Sequence, residues 1–234
     1  MKKKFSIAIV GAMEQEIELL KALMHNCEEE TIADIKTYHG KLFNHNVVLA
    51  LCGIGKVNAA VATSVVLMRY KPEYVINTGS AGGLSKNLKV GDVVVAALVA
   101  HHDVDVTAFG YQLGQVPKMR PAFVCDEKLV NLAEKAASAF EGASVYKGLI
   151  VSGDQFINCS EKVAHIREHF FGACVVEMEA AAIAQTCAKF NVPFVVVRAV
   201  SDLADEEAEI SFDEFLETAA LQSTRMVKHI ISAL

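Results

Sequence analysis

None of the six cysteines, Cys27, Cys52, Cys125, Cys159, Cys174 and Cys187, pair as CxxC, and their spacing follows no framework. That argues against a zinc site and a disulfide scaffold, and reduced thiols in a cytoplasmic protein are expected. Clustered positive charge is also lacking. The formal net charge is -6, and the one basic run, Lys2-Lys3-Lys4, reads as a solvated tail. Nucleic acid is thus not an expected partner, since phosphate binding needs clustered Lys and Arg. No apolar stretch is long enough to span a bilayer, and the run after the three lysines is too short for a signal peptide and ends at Gly11. No membrane partner is expected. No linker rich in Pro, Gly or Ser and no repeat divides the 234 residues, which suit one domain.

Several catalytic motifs are missing too. There is no Walker sequence and no G-x-S-x-G. Gly53-Ile54-Gly55 begins a dinucleotide fingerprint, but Asn58 stands where its third glycine is needed. His165-Ile166-Arg167-Glu168-His169 fits an inverted H-x-x-E-H pattern, yet no further acidic ligand is indicated, and it reads as a solvent-facing helix pair. His101-His102-Asp103 likewise lacks a cluster to complete a ligand set. No metal and no cofactor are expected.

What is present is a hydrophobic chain, 53% apolar and 21% charged, with short β-branched runs separated by helical patterns. Strands are predicted at 5–10, 47–51, 74–77, 93–100, 145–151, 173–176 and 194–200. Helices are predicted at 14–25, 56–70, 126–140, 161–169, 179–190 and from Ser211 onward, with Asp126 as an N-cap and a capping box at Ser211–Glu214. The alternation implies an α/β fold with a mostly parallel sheet, and continuous apolar runs such as VPFVVVRAV fit strands buried on both faces. The stretch from Asp103 to Pro121 has little pattern but holds Phe109, Tyr111 and Pro117, as a lid or an interface would.

Ligands in open α/β sheets bind at the carboxyl ends of the strands. Glycines, hydroxyls and carboxylates collect at those ends here: after residues 10, 77, 151, 176 and 200. The acids are Glu16, Glu177, Glu179 and Asp202. Paired carboxylates suit cleavage of a glycosidic bond, one activating water and another protonating the leaving group. They do not suit phosphate binding. Taken singly, a Glu near a helix start, such as Glu14, Glu16 or Glu179, also reads as a charge on the helix dipole. Glu14 and Glu177 have no clear role, and 205–207 reads as a solvated acidic run.

The segments GAMEQE, GIGKVNAA, NTGSAGG, KVGDVVV, HHDVDVTAFGY, VSGDQFI, VEMEAAAIA and VVVRAVSD follow one another from residue 7 onward. Together they resemble the bacterial 5'-methylthioadenosine/S-adenosylhomocysteine nucleosidases over nearly the whole chain. The resemblance implies the nucleoside phosphorylase fold, a twisted mixed sheet flanked by helices, and a homodimer. It implies hydrolysis of an adenine thionucleoside to adenine and a thioribose, with 5'-deoxyadenosine also accepted. By the same resemblance, Glu16 activates the attacking water and Asp202 protonates the purine at N7. Glu179, with Met178, binds the ribose hydroxyls, and an anionic Glu179 would stabilise positive charge on the sugar. Gly82 brings its backbone to the ligand, Phe156 and Ile157 hold adenine, and Phe212 closes over the purine. Ser201 and Ile54 join the substrate-binding set, and Phe109 and Pro117 come from the partner subunit. The rival is a purine nucleoside phosphorylase of the same fold. It would need cations around a phosphate, where this chain has Gln15 and Glu16.

Overall fold

The computed structural model describes residues 5–137, 140, 142–204 and 208–234. Lys2–Lys4 and the acidic run at 205–207 lie outside them. The elements in chain order are β1 (Ile7–Gly11), α1 (Glu14–Ala22), β2 (His25–Ile32), β3 (Ile35–Leu42), β4 (His45–Leu51), α2 (Lys56–Tyr70) and β5 (Tyr74–Gly83). There follow β6 (Val93–His101), β7 (Phe123–Val124), α3 (Glu127–Ala137), β8 (Val145–Ser152), α4 (Ser160–His169), β9 (Ala173–Glu177), α5 (Ala180–Phe190), β10 (Phe194–Asp202) and α6 (Ala208–Ser232). Among the described residues no helix is long and apolar enough to cross a membrane.

The sheet is mixed, not mostly parallel. β1 runs parallel to β4 and β5, β10 parallel to β5, and β8 parallel to β6 and β9. Antiparallel ladders join β10 to β6, β5 to β9, and the meander β2–β3–β4. The expectation of a mostly parallel sheet rested on strand–helix alternation, which does not report the direction in which a strand finds its neighbour. Because β10 pairs with both β5 and β6, while β9 returns to β5, the strands β5–β10–β6–β8–β9 close into a ring. Gly82 and Gly83 of β5 meet Val176 and Val175 of β9, so two antiparallel strands touch near their carboxyl ends. That closure brings strand ends from opposite directions to one place.

Burial explains the strands. Every residue of β1 and of β10 is buried, so both strands are covered on both faces. α6 packs on β10 and β5 and against α1 and α3, while α2 and α5 pack on each other. Helices α2 and α5 stop at left-handed residues, Lys71 and Asn191. Asp126 caps α3 as expected, accepting from the Leu129 N–H at 3.0 Å.

Several elements differ from the sequence reading. The first helix ends at Ala22 instead of residue 25, because His25 already pairs with Lys41 in the β2–β3 hairpin. That hairpin was not expected: β2, HNCEEETI, is exposed at most positions and shows no alternation, and its turn is Ala33-Asp34 at positive φ instead of an Asn-Gly or Asp-Gly pair. The fifth strand runs past the predicted end at residue 77 to Gly83, so the glycine-rich segment that follows is extended chain. Ser211 lies inside α6, so no capping box starts the helix there.

Candidate active site

A cavity of about 290 Å³ opens where these strand ends converge. Ala12, Met13 and Glu16 line it from β1 and α1, Ser80 to Gly82 from β5, and Gln155 to Ile157 from the segment after β8. Val176 to Glu179, Ser201, Asp202, Ile54 and Phe212 complete the wall. Every residue expected at the substrate is therefore there except Phe109 and Pro117. Phe109 sits on a 3₁₀ turn with 81% of its surface exposed, and Pro117 is exposed as well.

The carboxylates are held by different means. Glu16, 2% exposed, sits in the first turn of α1. Its Oε2 accepts from the N–H groups of Ala12 at 2.8 Å and Met13 at 3.1 Å. Its Oε1 accepts from the backbone and hydroxyl of Ser80 at 2.9 and 3.0 Å. The dipole reading of this Glu is thus correct but incomplete, since Oε1 faces a different strand. Asp202 ends β10, its Oδ2 accepting from the Ser201 hydroxyl and its Oδ1 from the Ala204 N–H, both at 2.9 Å. Gly82 makes room for it: a Cβ on residue 82 would stand 2.9 Å from Asp202 Oδ1.

Glu179 stands at the N-cap position of α5 without a side-chain bond to that helix, and turns its Oε1 to the Gly55 N–H at 2.9 Å and its Oε2 to Arg198 Nη2 at 3.4 Å. Burial, then the neighbouring charge of Glu177, pushes its carboxyl up to about 8 against the pull of Arg198. That shift favours the protonated form, whereas the resemblance implies an anion.

Glu177 is not idle. It forms a close ion pair with Arg198, takes the Ser152 hydroxyl, and accepts from the N–H groups of Glu179 at 3.0 Å and Ala180 at 2.9 Å. Arg198 has no exposed surface and also donates to Thr78 O at 3.1 Å and Asn77 Oδ1 at 3.0 Å. Ser80 and Arg198 were missed as site residues, and Glu177, gathered among the acids at the strand ends, was given no role. Their signal was present, since each lies inside a quoted motif, but their partners are distant in the chain. At the other side of the cavity Phe156 and Phe212 meet edge to face, ring centres 6.0 Å apart at 81°. Glu14, by contrast, is exposed beside Lys36, in keeping with a surface charge. His165 and His169 stack on α4, and no group of three or more possible metal ligands occurs among the described residues.

The family model named Phosphorylase superfamily matches residues 6–232. A 5'-methylthioadenosine/S-adenosylhomocysteine nucleosidase of Exiguobacterium is 54% identical over 228 residues, covering 97% of this chain and 98% of its own. The chain belongs to this nucleosidase family, within the phosphorylase superfamily. A crystal structure of the family's Neisseria meningitidis member, in complex with methylthio-immucillin-A, is 57% identical with a TM-score of 0.96, covering 98% of this chain and 99% of that one. A futalosine hydrolase from Helicobacter pylori is 36% identical with a TM-score of 0.93, covering 98% of each chain. The fold shared with these nucleosidases is the nucleoside phosphorylase fold.

Proposed function

We propose that this chain hydrolyses the N-glycosidic bond of 5'-methylthioadenosine and S-adenosylhomocysteine, and of 5'-deoxyadenosine, releasing adenine. The observation that carries the reading is a cavity lined by Glu16, Glu177, Glu179 and Asp202 and, among the described residues, by no Lys or Arg. Bond cleavage builds positive charge on the ribose and negative charge on the departing purine. Asp202 supplies a proton to N7, so that adenine leaves as a neutral base. Glu16, with Ser80 fixing its Oε1, takes the proton of the attacking water. Glu179 binds the ribose hydroxyls. Positive charge growing on the sugar favours the ionised form of the neighbouring Glu179 carboxyl. Phe156 and Phe212 offer ring surface to the base, and Ile157, Met178, Ser201, Ile54 and the Gly82 backbone complete the fit.

The phosphorylase reading fails on charge. Arg198 is the one cation bonded to the site's acids among the described residues, and it is engaged by Glu177 and Glu179. A phosphate would meet Glu16 instead. Incubation with 5'-methylthioadenosine, with and without phosphate, tests this. Free thioribose in both arms is expected, and thioribose 1-phosphate formed only with phosphate would overturn it.

We also propose a cytoplasmic homodimer, a reading supported by the free thiols and by Phe109 and Pro117, which project outside the cavity of their own chain. Light scattering that shows a fully active monomer would remove the dimer.

A further inference from the structure

α2 starts without a side-chain cap of its own, at Gly55. Its first N–H groups are satisfied by two distant carboxylates: Gly55 donates to Glu179 Oε1 at 2.9 Å, and Lys56 donates to Asp154 Oδ1 at 2.7 Å. A third acid closes the arrangement. Asp103 Oδ1 takes the Lys56 ammonium at 2.5 Å, and its Oδ2 accepts from the Asp154 N–H at 2.9 Å. Lys56, Asp103 and Asp154 thus form a ring of contacts drawn from three separate segments. The side chains of Lys56 and Asp103 are only 18% and 14% exposed, so water competes little for this pair. Burial opposes the charge on Asp103, but Lys56 and the Asp154 N–H outweigh it and hold the carboxyl below its ordinary range.

None of these three residues lines the cavity, but their chain neighbours do. Gly55 precedes Lys56 and orients Glu179, and Ile54 lies one residue further back. Gln155, Phe156 and Ile157 follow Asp154 directly. We propose that Asp103 is a positioning residue: through Lys56 and Asp154 it holds the sugar-side wall, Gly55 and Glu179, in register with the base-side wall, Phe156 and Ile157. The proposal rests on the nucleosidase reading and names a residue outside its substrate contacts. A fault in this ring displaces both walls at once, and small displacements in a reacting geometry are costly.

The test is a double-mutant cycle on the full chain, with Asp103→Asn, Lys56→Met and the double variant assayed for adenine release from 5'-methylthioadenosine well below their Tm. Each single change is expected to lower kcat/KM by about 10–100-fold, in the range that displacements remote from the chemistry produce. The double variant should fall no further than the worse single, because one contact is lost in either case. Lys56→Arg, which keeps the charge, should restore most of the rate. A merely structural role would lower Tm and leave kcat/KM unchanged. If Asp103→Asn does not fold, Lys56→Met against Lys56→Arg decides the matter by the same readout. A folded Asp103→Asn or Lys56→Met with wild-type kcat/KM, or losses that simply multiply, overturns the proposal while the nucleosidase reading stands. A wild-type protein that releases no adenine overturns both.

Discussion

Glu177 and Arg198 form an ion pair beside the cavity in which the guanidinium has no exposed surface and the carboxylate side chain is 3% exposed. Removing one member leaves the other charged and buried. Glu177→Gln should therefore destabilise the protein by about 3–5 kcal/mol, the cost typical of breaking a buried pair. It should also let the Glu179 carboxyl fall back toward its ordinary value, since Glu177 is one of the charges raising it. Urea unfolding measures the first effect and the pH profile of adenine release the second. An unchanged midpoint would show that Arg198 finds another partner.

Asp202→Asn should lose nearly all turnover and keep much of its affinity for adenine analogues. The amide preserves size and can still accept from Ser201 or Ala204, but it has no acidic proton to deliver. General acids typically contribute about 10²–10⁴-fold, and more is expected where the base cannot depart unprotonated. Near wild-type turnover would remove Asp202 from its role.

Glu16→Gln separates chemistry from helix capping. If Glu16 only complements the α1 dipole, its loss costs about 0.3–1 kcal/mol and leaves the rate intact. As the base that takes a proton from water, its loss should abolish hydrolysis while inhibitor affinity persists, because the residues proposed to hold the purine, Phe156, Ile157 and Asp202, are left in place. Tm, inhibitor affinity and adenine release should be read on one preparation, and a destabilised but fully active variant would sink the water-activation role.

The proton on Glu179 has a signature in stability. Its carboxyl is raised from 4.5 to about 8 in the folded chain, so between those values the folded state binds more protons than the unfolded one. Stability from this group is therefore present at low pH and declines as pH rises through that window. Glu179→Gln cannot show the decline. The difference in unfolding free energy, variant minus wild type, should climb from pH 5 to pH 8, with other titrations common to both cancelling. A flat difference would mean that Glu179 is ionised throughout.

Much of this was readable in the residues themselves. α2 runs over the predicted span, Lys56–Tyr70, because its pattern and the flanking Gly55 and Lys71 are local. The continuous apolar runs became the buried strands β1 and β10 for the same reason: burial on both faces leaves no polar alternation. The order of the motifs marked most of the residues that line the cavity. Other features depended on partners far along the chain. β2 carries no hydrophobic signal and is a strand because β3 pairs with it. The extension of β5 through Gly83 exists because β10 and β9 bond its glycines. Glu177 is an acid without a role until Arg198, on another strand, arrives beside it. Chemistry-bearing residue types and local periodicity reside in the sequence by itself, whereas strand direction, ring closure and the raised proton affinity of Glu179 were decided by tertiary structure. The physical reason is that pairing and desolvation act between residues that only the folded chain brings into contact.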